Sequence, residues 1–105
     1  MDEKIVEIAF QLISYSGDAR GIAMEAIHSA KNGNIEEARN LIKEAREQIH
    51  KAHEFQTQLI QDEAAGIKNE ISILLIHSQD HFMTGSTVID MAEEFVDLYD
   101  RLENK

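Results

Sequence analysis

Ile73-Leu74-Leu75-Ile76-His77-Ser78-Gln79-Asp80-His81-Phe82-Met83-Thr84, near the middle of the last of three apolar-periodic segments, decides how the chain is read. At helical spacing its apolar residues do not collect into a single face. One stripe runs through Ile71, Leu74, Leu75, Phe82, Ile89, Ala92, Val96 and Tyr99. A second, on a different side, runs through Ile73, Ile76, Met83, Met91 and Leu98. Only Ser72, Gln79, Ser86, Asp90, Asp97 and Arg101 form a plainly polar strip. A helix apolar over most of its circumference must be buried on more than one side. A three-helix chain offers the last helix only two neighbours, so the second stripe predicts self-association about a symmetric axis. The methionines and aromatics here (Phe82, Met83, Met91, Phe95, Tyr99) are expected in the core.

Upstream, Ile5, Ile8, Ala9, Leu12, Ile13, Ile22, Ala23, Ala26, Ile27 and Ala30 keep helical spacing across Gly17 and Gly21. Each of those glycines weakens a helix by about 1 kcal/mol relative to alanine, which allows a bend or a close helix approach. Asn32-Gly33-Asn34 supplies a stop and a start: Gly33 suits a left-handed cap, Asn34 an N-cap, and Glu37 the acid of a capping box. A second helix is expected from Ile35 to about Ala65, ended by Gly66, and a third from between Ile67 and Glu70 to about Leu102. Short connections make neighbours antiparallel. The fold expected is all-α, an up-down-up bundle of three long helices in one domain, residues 1–105. With no proline the helices run uninterrupted, and with no cysteine there are no disulfides or thiolate sites.

The polar residues of the opening run carry the chemistry. His77, Asp80 and His81 stand at i, i+3 and i+4, neighbouring rows of a helix, as needed to hold a phosphate, a metal or a mobile proton. His77-Ser78-Gln79-Asp80-His81 lacks the second-position glutamate of the His-Glu-x-x-His metalloprotease signature, so zinc hydrolysis is not supported. A histidine nucleophile fits better, since imidazole is ordinarily available in its neutral form near pH 7 and one nitrogen can attack while the other is held. His81, Gln79 or Thr84 then offer donors to phosphoryl oxygens. The plainer alternative is that both histidines are packed or exposed helix residues. Asp80 falls inside the second stripe; at an n-fold axis its copies would need a cation such as Mg2+ or shared protons. The plainer alternative for Asp80 is solvent or a lysine. His28, His50 and His53 read as structural, although His53 could face His77 from a neighbouring helix.

Twenty acidic against ten basic residues give a net charge of -10. That excludes nucleic-acid binding through a basic stripe and permits a basic protein partner. No signal-peptide pattern opens the chain and no apolar run is long enough to span a membrane, so a cytoplasmic protein is expected.

The run Leu74 to Thr84 resembles the active-site signature of enzyme IIA of the lactose/cellobiose class, in the bacterial sugar phosphotransferase system. Ala9-Phe10-Gln11-Leu12-Ile13-Ser14-Tyr15-Ser16-Gly17-Asp18-Ala19-Arg20 is similar to that family's first helix. Ala52-His53-Glu54-Phe55-Gln56-Thr57 and Gln61-Asp62-Glu63-Ala64 are similar to its second, and Met91 to Tyr99 to the end of its third. The resemblance implies a homotrimer of three-helix subunits. It implies that His77 accepts a phosphoryl group from HPr and passes it to a cysteine of enzyme IIB, which serves the membrane enzyme IIC. It also implies that Asp80 binds a divalent ion, usually Mg2+, at the trimer axis. His81 matches a family position beside the nucleophile, with a supporting, phosphate-contacting role. The transported sugar is of the lactose, cellobiose or chitobiose type. The competing reading is a non-enzymatic helical adaptor or oligomerisation module with structural histidines.

Overall fold

The computed structural model describes residues 2–104, which form three helices: α1 (Glu3–Lys31), α2 (Ile35–Ala64) and α3 (Ile73–Glu103). They lie up, down and up in a rod of 55 × 20 × 17 Å. No strand occurs among the described residues. The helix α1 is continuous through Gly17 and Gly21 and is capped by Asp2, whose carboxylate accepts from the Lys4 N–H at 3.0 Å.

Both turns close the same way. Gly33 takes φ +88° after α1; its N–H donates to the Ala30 carbonyl at 3.0 Å and that of Asn34 to Ser29 at 2.8 Å. Gly66 repeats this after α2, at φ +88°, with its N–H on Glu63 at 3.0 Å and that of Ile67 on Asp62 at 2.9 Å. This paired-bond cap needs a left-handed residue, which glycine adopts without steric cost. Asn34 holds the N-cap position of α2, but its side chain makes no cap hydrogen bond. Its backbone N–H is committed to closing α1, at φ −93° and ψ 68° rather than the extended geometry that aims a cap side chain at the next helix.

The third helix starts later than its spacing suggests. Ile67 and Ile71 continue the apolar period of Leu74 and Leu75, yet residues 67–72 are not helical. Ser72 is the reason: extended at φ −134°, ψ 163°, its hydroxyl accepts from the Leu75 N–H at 3.1 Å and fixes the start at Ile73. Ile71 is accordingly 77% exposed instead of part of the core stripe.

Small residues bring the helices close. Ala19, Ala23, Ala26 and Ala30 of α1 meet Ala38 and Ala45 of α2 and Ala92 of α3, with Ile42, Ile89 and Val96 filling between them. A second cluster, Ile8, Leu12, Ala52 and Phe82, lies at the end that carries the run quoted above. At Gly85 a Cβ would stand 3.1 Å from the Ser16 carbonyl oxygen, so α1 and α3 touch backbone to backbone there. Between α2 and α3 the joint is polar. Arg39 reaches Asp97 at 2.7 Å and Asp100 at 3.2 Å; Arg46 reaches Asp90 at 3.2 Å and Glu93 at 3.0 Å. The polar strip of α3 thus includes two carboxylates, Asp90 and Asp97, engaged by α2. The hydrogen bonds that Arg39 donates to Asp97 and then to Asp100 raise its pKa. For Arg46 burial opposes the charge, but Glu93 and Asp90 prevail and raise it as well.

The second stripe is left bare. Ile73 is 86% exposed, Met83 62% and Ile76 58%, with Met91 and Leu98 also open. Met83, Met91 and Phe95, expected in the core, are exposed because α1 and α2 occupy the opposite side of α3.

Candidate functional site

Four residues of α3, one turn or more inside the helix start set by Ser72, place the predicted site. His77 is exposed and His81 half-buried, their rings edge to face with centroids 4.3 Å apart. Their Nε2 atoms lie 3.0 Å apart. Two nitrogens at that distance share one proton, so one Nε2 donates and the other accepts. When the His77 Nε2 accepts, it presents a lone pair, its own proton sits on Nδ1, and His81 carries the Nε2–H. Between them Ser78 is buried, its hydroxyl donating to the Leu75 carbonyl at 2.6 Å, so it belongs to the helix rather than to the site. Ile73 and Ile76 stand exposed on the same two turns and give the pair an apolar border.

Asp80 is exposed, and its Oδ1 accepts from the Thr84 hydroxyl at 3.3 Å. It lies in the bare apolar stripe, as expected. Among the described residues no group of three or more histidine, cysteine, aspartate or glutamate side chains within one chain suits a metal ion. The donors present, one carboxylate beside one hydroxyl, are oxygen atoms of the kind hard cations take, but one chain supplies too few. The residues fit a cation only when copies of Asp80 converge.

Gln79 is not brought to its own chain's His77. Two residues along a helix is a turn of about 200°, which points it away from the imidazole pair. It lines a cleft of about 450 Å³ between α2 and α3, with Gln56, Leu59, Glu63, Asn69 and Leu75. The Nε2 of Gln79 and the Oε1 of Gln56 are both closed off from solvent and have no hydrogen-bond partner. Gln56 was not singled out from the sequence; its helical position carries no signal until α2 and α3 are set side by side.

The other histidines lie apart. His28 sits in the last turn of α1. His50 lies 3.7 Å from Glu54, and His53 packs on Phe82 with centroids 6.1 Å apart and beside His50, not against His77. No described helix is long and apolar enough to cross a membrane.

Comparison with known proteins agrees with the three-helix fold. Residues 7–100 match the family model described as the lactose/cellobiose-specific IIA subunit of the PTS system. The chain is 48% identical to the lichenan-specific phosphotransferase enzyme IIA component of Bacillus subtilis, over 97% of this chain and 93% of that one. The crystal structure of the cellobiose-specific enzyme IIA from Bacillus anthracis superposes with a TM-score of 0.96 at 53% identity, covering 100% of this chain and 96% of that one. The IIA(Chitobiose) of an Escherichia coli IIA(Chitobiose)–HPr complex gives 0.83 at 32% identity, covering 97% and 99%. A three-helix rod, a matched span that includes His77 through Thr84, and relatives that are IIA components over nearly their whole length lead to one assignment: the chain belongs to the lactose/cellobiose-specific IIA subunits of the phosphotransferase system, the phosphotransferase components of sugar uptake.

Proposed function

We propose that the chain carries a phosphoryl group on His77, taking it from phospho-HPr and giving it to the cysteine of enzyme IIB, in the cytoplasm. The observation that carries this reading is the His77–His81 pair, Nε2 to Nε2 at 3.0 Å on an exposed helix surface. The lone pair of the His77 Nε2 attacks phosphorus, a P–N bond to the donor histidine breaks, and a P–N bond to His77 forms. That nitrogen then no longer accepts from His81, whose N–H turns to a phosphoryl oxygen. Little covalent chemistry is asked of the protein; positioning and charge stabilisation are what it supplies. In the assembled trimer Ile73 and Ile76 beside the pair would help to exclude competing water. HPr as the donor is supported by the IIA(Chitobiose)–HPr complex of the related protein.

The bare stripe Ile73, Ile76, Met83, Met91 and Leu98 supports self-association with α3 innermost; the family resemblance sets the number of copies at three, and such a trimer would bring Asp80 of each copy to the axis. There three carboxylates would hold one divalent ion, a hard cation such as Mg2+ by the oxygen-only donor set, which would neutralise like charges that otherwise oppose assembly. The chain is 48% and 53% identical to lichenan- and cellobiose-specific relatives and 32% to the chitobiose one, which favours a β-glucoside as the transported sugar.

Intact mass after incubation with phosphoenolpyruvate, enzyme I, HPr and Mg2+ tests the reading. One acid-labile phosphate per chain, absent from His77→Ala, is expected. Label retained by His77→Ala moves the nucleophile to another histidine. No label on either protein while HPr is phosphorylated makes the adaptor reading the better one.

A further inference from the structure

Phosphoryl acceptance uses one lone pair of the imidazole pair, and the geometry offers two. Residues four apart on α3 are held one above the other by the helix itself. The Nε2 atoms of His77 and His81 lie 3.0 Å apart, and both residues reach solvent, His77 exposed and His81 half-buried. Two metal–nitrogen bonds of about 2.0–2.1 Å that span such a gap meet at about 95°, and widening the gap to about 3.3–3.4 Å makes the angle tetrahedral. That adjustment falls on side-chain torsions alone. His81 moves its proton from Nε2 to Nδ1, so a neutral pair takes up an ion without releasing a proton. We infer that His77 and His81 form a two-histidine chelate for a nitrogen-preferring divalent ion of the Zn2+ type, and that this ion competes with the phosphoryl group for the His77 Nε2. The chelate stands on the geometry; the competition rests on the carrier reading given above.

The donor atoms set the class of ion. Imidazole nitrogen suits Zn2+, Cu2+ and Ni2+, whereas the oxygens of Asp80 and Thr84 suit hard cations such as Mg2+. The two kinds of site are therefore separable although they share two turns of α3. Among the described residues no third histidine, cysteine, aspartate or glutamate joins the imidazole pair. Water fills the remaining positions, as at an exchangeable ion rather than a closed structural one. The second-position glutamate of a helical zinc hydrolase is absent, since Ser78 stands there, so the ion acts by occupancy and not by hydrolysis. The other neighbouring histidines are less suited: the rings of His50 and His53 lie 6.4 Å apart between centroids, against 4.3 Å for His77 and His81. One lone pair cannot form both a P–N bond and a metal–nitrogen bond. Bound ion therefore holds the chain in its unphosphorylated form, and a phosphorylated chain has lost half of the chelate. Free ion of this class thus acts as a brake on phosphoryl flow, applied at the nucleophile itself.

Calorimetric titration with Zn2+, in excess Mg2+ to satisfy the oxygen donors, tests the chelate. One Zn2+ per chain is expected, bound about 10-fold or more weakly by His77→Ala and by His81→Ala, since loss of a ligand costs at least what loss of a ligand's own support does. Circular dichroism checks that both variants keep their helices. Equal affinity for the native chain and both variants would assign the ion to His28, His50 or His53 and overturn the inference. Preformed phospho-HPr then tests the competition. At ten times the Zn2+ dissociation constant only about one chain in eleven keeps a free His77, so the initial rate of transfer should fall about 11-fold. A zinc-selective chelator, with Mg2+ still present, should restore it. The residual rate of His81→Ala, whatever its size, should not respond to the same Zn2+ concentration, which separates an effect on this chain from one on HPr. A native rate unchanged by bound Zn2+, or an equal fall in His81→Ala, would overturn the competition and leave the carrier reading standing. No label on the native chain without Zn2+ is a different failure: it removes the carrier reading and the competition together, while the titration still decides the chelate.

Discussion

At the residue scale the site turns on which atom of a side chain faces which. The 3.0 Å contact between His77 and His81 links two nitrogens through one proton, and so assigns them different roles although the residue types are the same. His81→Gln keeps a side-chain N–H on the neighbouring turn, whereas His81→Ala removes it. Initial rates of phosphate uptake from HPr should fall about 10- to 100-fold for His81→Ala, the range for one hydrogen bond to a charged group, and less for His81→Gln. Label should remain on His77 in both. Equal rates for both variants and the native chain would deny His81 its donor role. The closeness of residues 77, 80 and 81 was legible in the sequence, because helical periodicity alone places them on neighbouring rows, whereas the phosphoryl role proposed for His77 rests on the family resemblance. Gln79 was legible as a donor but not in its direction, and Gln56 not at all. Their significance lies in two buried amide atoms left without partners, which only the packing of α2 on α3 reveals.

At the scale of the helices, the parts that could be read in advance were those fixed by local rules, and the misreadings came where two local rules competed. Gly33 and Gly66 end their helices as expected, both at φ +88°. At the start of α3 the apolar period of Ile67, Ile71, Leu74 and Leu75 argued for helix, and the Ser72 side chain, by capping Leu75, argued for a later start and prevailed. Ser72→Ala should therefore lower stability by about 1 kcal/mol and fray the turn ahead of His77, seen as faster amide exchange at residues 73–76. The glycines of α1 and α3 separate in the same way. At Gly85 a Cβ meets the Ser16 carbonyl at 3.1 Å, whereas at Gly17 and Gly21 it meets nothing within 4 Å. Gly85→Val should destabilise the chain by about 1–3 kcal/mol through overpacking of α1 on α3, read as a lower denaturant midpoint. Gly21→Ala should instead raise it by about 0.5–1 kcal/mol through lower unfolded-chain entropy. A loss of stability at Gly21→Ala would mean that another chain packs there in solution.

For the whole molecule the balance is between a thin core and a bare face. A rod 55 Å long and 17–20 Å across, built largely on alanine contacts, buries few large side chains, and Leu12, Ile89 and Val96 are the large apolar ones fully enclosed. Much of its remaining apolar surface lies on one side of α3, where Ile73, Ile76, Met83, Met91 and Leu98 are each at least half exposed. Covering that side in the proposed trimer would add the burial that the single chain lacks, at about 25 cal/mol per Å² of apolar surface removed from water. The same trimer would drive three Asp80 carboxylates together, and these two consequences oppose each other. The divalent cation proposed for the axis would resolve the conflict, and its presence would have a measurable signature. In the native chain, chelation with EDTA should lower the melting temperature and shift the sedimentation profile toward monomer as the sample is diluted; Mg2+ should restore both. Asp80→Leu removes the repulsion and the ligand together, so it should stay trimeric without metal and be indifferent to EDTA. Met83→Glu, which adds charge to the apolar side without touching Asp80, should be monomeric with or without Mg2+. A native chain indifferent to EDTA that still sediments as a trimer would place the Asp80 side chains in shared protonation rather than on a cation. A monomeric native chain would take α3 off the axis altogether, and with it the reason for a carboxylate among isoleucines and methionines.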